Sequence, residues 1–309
     1  MSATPLAEHL VVDLSRHLPG PYAARILRDL GARVIKIEEP TLGDPARQVR
    51  PMRGGIGALA AALLAGVESI ALDLRRDGAR GVLDQLLNEA DVLLESSRPG
   101  GLERLIGAAP AELAARYPRL VICSISGWGQ TGPHRLRTGH DLGYQAVAGS
   151  LAPIDDMPPA PTADLLGGWS AASAILAALV ERGRTGSGSV IDAPLLDAGG
   201  HGNLMAWIEE ADSPRAVGER LALTGGYPCY NVYATSDGGR VALSCLEPVY
   251  WRRFCDAAGR RDLLGLQYSR DPESVGRVAE VVRRRTRHQW QELFTEHDLP
   301  AEPVLSAAE

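Results

Sequence analysis

The sequence predicts an α/β protein: a parallel sheet covered by helices on both faces, followed by a smaller α+β domain. Three observations carry this expectation. Short aliphatic runs alternate with helical patterns from residue 9 to residue 125, the arrangement of a parallel sheet whose crossovers are helices. The alternation stops in a stretch rich in Gly, Pro, His and Asp at residues 127–161. Beyond residue 225 a hairpin pattern is followed by three helical ones.

The elements follow in order. Residues 9–14 read as a short strand and residues 15–20 as a loop. Pro21 then opens a helical pattern (Tyr22, Ile26, Leu27, Leu30) that Gly31 closes, with proline at the start and glycine past the end. Residues 33–37 give the next strand. Strands at 69–72, 92–95 and 120–125 enclose helices at 77–90 and 110–117. The stretch 127–161 has no clear period, and a loop of that length in a compact domain is usually functional or disordered. Leu165, Trp169, Ala172, Leu176 and Leu179 then recur at helical spacing, with Gly183 as the end and Asp164 as the N-cap. Strands at 230–234 and 240–245 flank Ser236-Asp237-Gly238-Gly239, a hairpin signal. Helices are expected at 248–258, 272–287 and 288–297. The domain organisation is a large domain over residues 1–200, a linker at 201–224 and a small α+β domain at 225–309.

Composition excludes several function classes. The chain has 309 residues, 32 basic and 38 acidic, with a net charge of −6, which argues against a dedicated nucleic-acid binder. Of the basic residues only Lys36 is lysine. Cys123, Cys229, Cys245 and Cys255 are scattered and form no CxxC pair, which predicts a reduced, cytoplasmic protein with no zinc site. The longest apolar runs, at 58–66 and 171–180, are too short to span a bilayer, and the first residues lack the basic and apolar regions of a signal peptide.

Several residues are candidates for chemistry. The first strand–helix turn lacks GxGxxG, so the dinucleotide fingerprint is absent, and Glu38 and Glu39 after the second strand carry little weight as ribose ligands. Gly139-His140-Asp141 lies in this loop, and histidine is the residue type suited to general acid–base chemistry. Asp164 reads either as a cap or as a carboxylate facing a cleft. Glu247 precedes Pro248 and by itself reads as a helix-start residue. Trp128, between Gly127 and Gly129, marks a tight turn open to close approach by a ligand. Arg283, Arg284 and Arg285 read as a solvated helix face. These residues alone lead to a two-domain α/β enzyme with a cleft near residues 127–164.

The ordered motifs resemble a known family. Val11-Val12-Asp13-Leu14-Ser15, Gly20-Pro21-Tyr22-Ala23, the run from Leu30 through Lys36 to Pro40, and Gly43-Asp44-Pro45 are similar to the opening of the family III CoA-transferases (CaiB/BaiF). Ser97-Arg98-Pro99-Gly100, the run from Ser126 to Pro133, the run from Arg182 to Gly188, and Val190-Ile191-Asp192-Ala193 continue the match over nearly the whole chain. The family includes CoA-transferases and α-methylacyl-CoA racemase. The segments around Gly139-His140-Asp141-Leu142-Gly143-Tyr144, Ala163-Asp164 and Leu246-Glu247-Pro248 resemble the racemase branch.

The resemblance implies that His140, Asp164 and Glu247 are catalytic, with His140 and Asp164 moving the α-proton of an acyl thioester and Glu247 orienting His140. Transferases of the family need only the Asp, which forms an acyl-aspartyl anhydride. It implies that Lys36, Arg98, Gly139 and Tyr144 contact the thioester. It also implies a Rossmann-like large domain, an interlocked homodimer, no permanently bound cofactor and no metal. The site would then lie between a large domain and the small domain of the partner subunit, and backbone amides at the start of the Asp164 helix would meet the enolate oxygen.

Two departures stand out. The family's basic segment before the third strand is replaced by Leu64-Ala65-Gly66-Val67-Glu68-Ser69, with Glu68 adding a repelling charge. That predicts weak binding of free CoA phosphates, leaving Lys36, Arg98, Arg47, Arg50 or Arg53 as cations, and it keeps a carrier-bound thioester or a substrate without CoA open. The chain also ends at Glu309, where family members continue back to the large domain.

Overall fold

The computed structural model describes residues 4–152, 157–212 and 220–309. The chain divides into two compact units, Met1–Trp207 and Ile208–Glu309.

The first unit is built on six parallel strands: β1 (Leu10–Asp13), β2 (Arg33–Glu38), β5 (Glu68–Ala71), β6 (Val92–Glu95), β7 (Val121–Ser126) and β8 (Val190–Pro194). A two-stranded hairpin of β3 (Met52–Arg53) and β4 (Ile56–Gly57) lies between β2 and β5 in the chain. The order across the large sheet is β5-β2-β1-β6-β7-β8. The chain therefore runs outward from β1 to one edge, returns, and runs outward from β6 to the other, as in a doubly wound Rossmann-type sheet.

The central strands are apolar runs because both their faces are covered. Val11, Val92, Leu94, Val121 and Cys123 pack on one face with the helices Pro19–Asp29 and Thr162–Thr185. Val12, Leu93 and Ile122, one residue out of step, pack on the other with Leu83, Leu87 and Leu113 of the helices Asp77–Glu89 and Pro110–Arg116.

Element boundaries shift from the sequence expectations for local reasons. The first helix starts at Pro19, because proline fits the first helical positions. The long helix spans Thr162–Thr185 and ends at Gly186, whose φ of 78° suits glycine, whereas Gly183 stays inside it. Asp164 is in its first turn, and Pro161 is the N-cap. By length and composition this one helix is apolar enough to cross a membrane, which the shorter apolar runs do not suggest. It packs against the first helix, β7 and the helix Leu195–Gly202, and its buried Arg182 donates to Asp91 Oδ1 at 2.7 Å. The stretch expected as a linker holds a helix, Leu204–Asp212, and its residues 213–219 lie outside the described residues.

The second unit carries an antiparallel sheet, ordered β11-β10-β9, of β9 (Tyr230–Ala234), β10 (Arg240–Ser244) and β11 (Ala301–Pro303). Trp251, Phe254, Trp290 and Phe294 stack in series in its core, with centroids 5.3–5.8 Å apart. Helix Pro272–Val282 stops before Arg283, so the arginine run follows the helix, and Arg285 lies 5.0 Å over the Trp290 ring.

Candidate active site

β1 and β6 are neighbours in the sheet although β2 and β5 separate them in sequence. Their outgoing connections diverge, and a crevice opens at their C-terminal ends, where doubly wound folds bind ligands. A cleft of about 340 Å³ occupies this place. Arg16 and His17 after β1, Ser97 and Arg98 after β6, and Ser126 at the end of β7 form its floor and one side. His140 and Asp164 line it as well.

Both residues are positioned by the short helix Asp141–Val147, which interrupts the stretch expected to be loop. His140 is its N-cap; its carbonyl accepts from Gly143 N at 2.8 Å and Tyr144 N at 3.3 Å, leaving the side chain exposed. Asp141 Oδ2 accepts from Gln145 Nε2 at 2.5 Å, and its Oδ1 accepts from the Asp164 N–H at 3.0 Å. One carboxylate thus ties the two catalytic candidates together. It also acts on Asp164 through charge. Burial, reinforced by the nearby Asp141, pushes the Asp164 carboxyl up to about 7. A helix N-terminus alone would push it down, so desolvation outweighs the dipole here.

Gly139 and Tyr144 also line the cleft, and they fit each other. The Tyr144 ring is buried and fills the space a side chain would need at two glycines. A Cβ on Gly127 would meet Tyr144 Oη at 2.1 Å, and one on Gly139 would meet Cε1 at 2.7 Å. The close approach expected at the Gly127 turn is therefore made by Tyr144, whose ring also meets Trp128 edge-on at 5.1 Å. Burial, with Asp164 and Asp141 nearby, pushes the Tyr144 hydroxyl up to about 12.

Lys36 is placed differently from its expected role as a thioester contact. It is 1% exposed and does not line the cleft; its ammonium donates to Asp13 Oδ2 at 3.0 Å and Ser15 O at 2.6 Å and pairs with Asp44 Oδ2 at 3.1 Å. Burial alone would lower its pKa, but the two carboxylates outweigh it and raise it, so the charge is kept. Asp44 Oδ1 in turn accepts from the His17 N–H at 3.2 Å. Lys36 braces the turn that carries Arg16 and His17. Arg98, by contrast, is exposed in the cleft, after a turn in which the buried Glu95 accepts from Ser97 N at 2.6 Å.

Comparison with known proteins now settles the family. The model of CoA-transferase family III matches residues 6–309. The chain belongs to that family. The alpha-methylacyl-CoA racemase of Homo sapiens is 34% identical over 97% of this chain and 77% of its own length. The acetyl-CoA:oxalate CoA-transferase of Acetobacter aceti is 32% identical over 97% of this chain and 80% of its own length. Among solved structures, a CAIB/BAIF family protein from Brucella suis superposes with a TM-score of 0.83 at 28% identity, covering 99% of this chain and 85% of that one.

In this family III member the cations of the cleft are only in part the expected ones. Arg47 is committed to Glu38, with Nε donating to Oε2 at 2.7 Å. Glu68 is no bare repelling charge, because Arg33 pairs with both its oxygens at 2.7 and 2.9 Å. Besides Arg98, the guanidinium groups on the cleft are Arg16, Arg135 and Arg137, which sequence reasoning missed. Glu247 is exposed at the N-cap of helix Pro248–Ala258, in the second unit.

Proposed function

We propose that this family III enzyme is a racemase or epimerase that moves the α-proton of an acyl thioester. The observation that carries the reading is one cleft lined by both an exposed imidazole and a carboxyl held at about 7. A carboxyl near 7 holds its proton about as often as it releases it at neutral pH, as a residue acting alternately as acid and base requires. His140 takes the α-proton from one face of the carbon, and protonated Asp164 delivers its own proton to the other. The enolate formed between these steps needs a donor. The N–H groups of Thr162, Asp164 and Leu165 at the helix start already donate, to Ala160 O, Asp141 Oδ1 and Pro161 O. Ser126 Oγ, buried at the cleft with no partner among the described residues, has spare capacity for that oxygen.

Glu247 orients and charge-stabilises His140 in an interlocked, cytoplasmic homodimer in which the small domain of one subunit meets the large domain of the other. The substrate is a thioester of CoA or of a carrier protein, and no cofactor is permanently bound. The test is α-deuterium uptake by a chiral 2-methylacyl thioester in deuterated water. Uptake with loss of chirality, abolished in His140→Ala, is expected; no uptake, or uptake unaffected by that substitution, overturns the reading.

The similarity to an acetyl-CoA:oxalate CoA-transferase supports a second reading. There the Asp164 carboxylate attacks the thioester carbonyl, the C–S bond breaks, the thiolate leaves, and a mixed anhydride remains. Hydroxylamine trapping with mass spectrometry of Asp164 separates the two: a modified Asp164 favours transfer, and its absence across several acyl donors argues against it.

A further inference from the structure

The cleft carries far more positive charge than proton transfer requires. The chain as a whole is negative, at −6. The cleft nevertheless gathers Arg16, Arg98, Arg135 and Arg137, and among the described residues its only carboxyl is Asp164, which is held near 7 and so is partly neutral. Among the described residues no carboxylate pairs with any of these four arginines, whereas Arg33, Arg47, Arg75 and Arg182 are all paired. Cations left unpaired in a concave site raise the local concentration of anions and await an anionic partner.

The four fall into two pairs by position. Arg16 and Arg98 follow β1 and β6, on the sheet side of the cleft. Arg135 and Arg137 are on the loop that runs directly into His140, and they line the same cleft as His140 and Asp164. Arg137 is also preorganised. Its guanidinium lies 5.0 Å over the Trp128 ring, and Trp128 is in turn packed edge-on against Tyr144 and His134. A stacked guanidinium has already lost rotamer freedom and keeps its planar fork available for a carboxylate.

We propose that Arg135 and Arg137 form an anion subsite for the acyl group, and that the substrate is the thioester of an acid bearing a second carboxylate. The inference rests on the α-proton-transfer reading of the same site. The other source of an anion is a phosphate of the thioester's handle, so the test separates the two. Two acyl groups of similar shape, 2-methylbutanoyl and 2-methyl-3-carboxypropanoyl, are each presented on N-acetylcysteamine, which has no phosphate, and on 4′-phosphopantetheine. Deuterium uptake is followed for each.

On N-acetylcysteamine the carboxylated acyl group is expected to be preferred by about tenfold to a hundredfold in kcat/KM, mostly through KM, as for a charge-assisted pair. Arg137→Gln and Arg135→Gln each reduce that ratio, and Arg137→Lys retains part of it. Equal use of the two acyl groups, a preference that appears only with phosphopantetheine, or a ratio that survives both Gln substitutions overturns the subsite. Should no thioester exchange its proton, the proton-transfer reading fails, and calorimetry with free methylsuccinate then decides the subsite by itself. Binding that is lost in Arg137→Gln upholds it, and no binding to the unmodified protein overturns it.

Discussion

Two regions of the large sheet treat charge in opposite ways. Along β2 and β5, Glu38 holds Arg47, Ser69 Oγ and Asp44 N at the C-terminal tip of β2, and Arg33 holds Glu68 at the N-terminal ends of the two strands. Across the tips of β1, β6 and β7, four arginines face the cleft without a carboxylate partner among the described residues. Both regions are rich in arginine, so residue type does not distinguish them. Pairing does. A charge closed by its own counter-charge locks the chain's geometry, while a charge left open towards a cavity is available to a ligand. Lys36 is the limiting case of the first kind: a fully buried cation whose two carboxylates hold the turn under the cleft.

The comparison can be broken or sharpened in three ways, the first with the largest effect. Asp164→Asn removes an open, titrating group, and α-proton exchange should fall by about 10²–10⁴-fold. The same substitution should leave the protein more stable than the parent at pH 8 in a thermal melt. The carboxyl is raised from 3.8 to about 7 in the folded chain, so the folded protein binds a proton that the unfolded chain releases, and stability falls as pH rises between those values. A variant no more stable at pH 8 would place Asp164 outside the group of strained, functional charges.

Next, Lys36→Met opens a closed group. It leaves Asp13 and Asp44 buried without their cation, and chemical denaturation should show a loss of about 3–5 kcal/mol. A loss of activity without this destabilisation would instead return Lys36 to the role of a thioester contact.

The smallest effect is expected at Glu38→Gln. Burial alone would raise the Glu38 carboxyl, but Arg47, Ser69 and the Asp44 N–H outweigh it and hold it down at about 2. Because its folded pKa is depressed, its stabilisation is present above the ordinary value of 4.5 and is lost as pH falls towards 2. The variant should show a flatter stability profile over that interval, less stable than the parent at neutral pH and converging with it as pH falls towards 2. An unchanged profile would mean that the Arg47 pair is not a closed, structural one.

Much of the fold was legible in the residues. Runs such as Val121-Ile122-Cys123-Ser124-Ile125 announce a strand covered on both faces, and the amphipathic helices between them announce the crossovers. The long helix was legible in outline, although its ends were not, since Gly183 and Gly186 look alike until the φ angle is known. The Asp141–Val147 helix escaped notice because seven residues make too few turns to show a period, and because its support comes from Tyr144 filling the spaces left by Gly127 and Gly139.

The sequence by itself determined the succession of strands and helices, the family, and the identity of His140, Asp164 and Glu247 as candidates. These follow from local periodicity and from ordered motifs, which depend only on neighbours along the chain. The tertiary structure alone decided that Lys36 is a buried brace, that burial and then Asp141 raise the Asp164 carboxyl, and which arginines are paired and which remain open. The physical reason is that burial and counter-charge are set by residues brought together from distant parts of the chain. An ionisable group has no fixed affinity for its proton, or for a ligand, until those neighbours are in place.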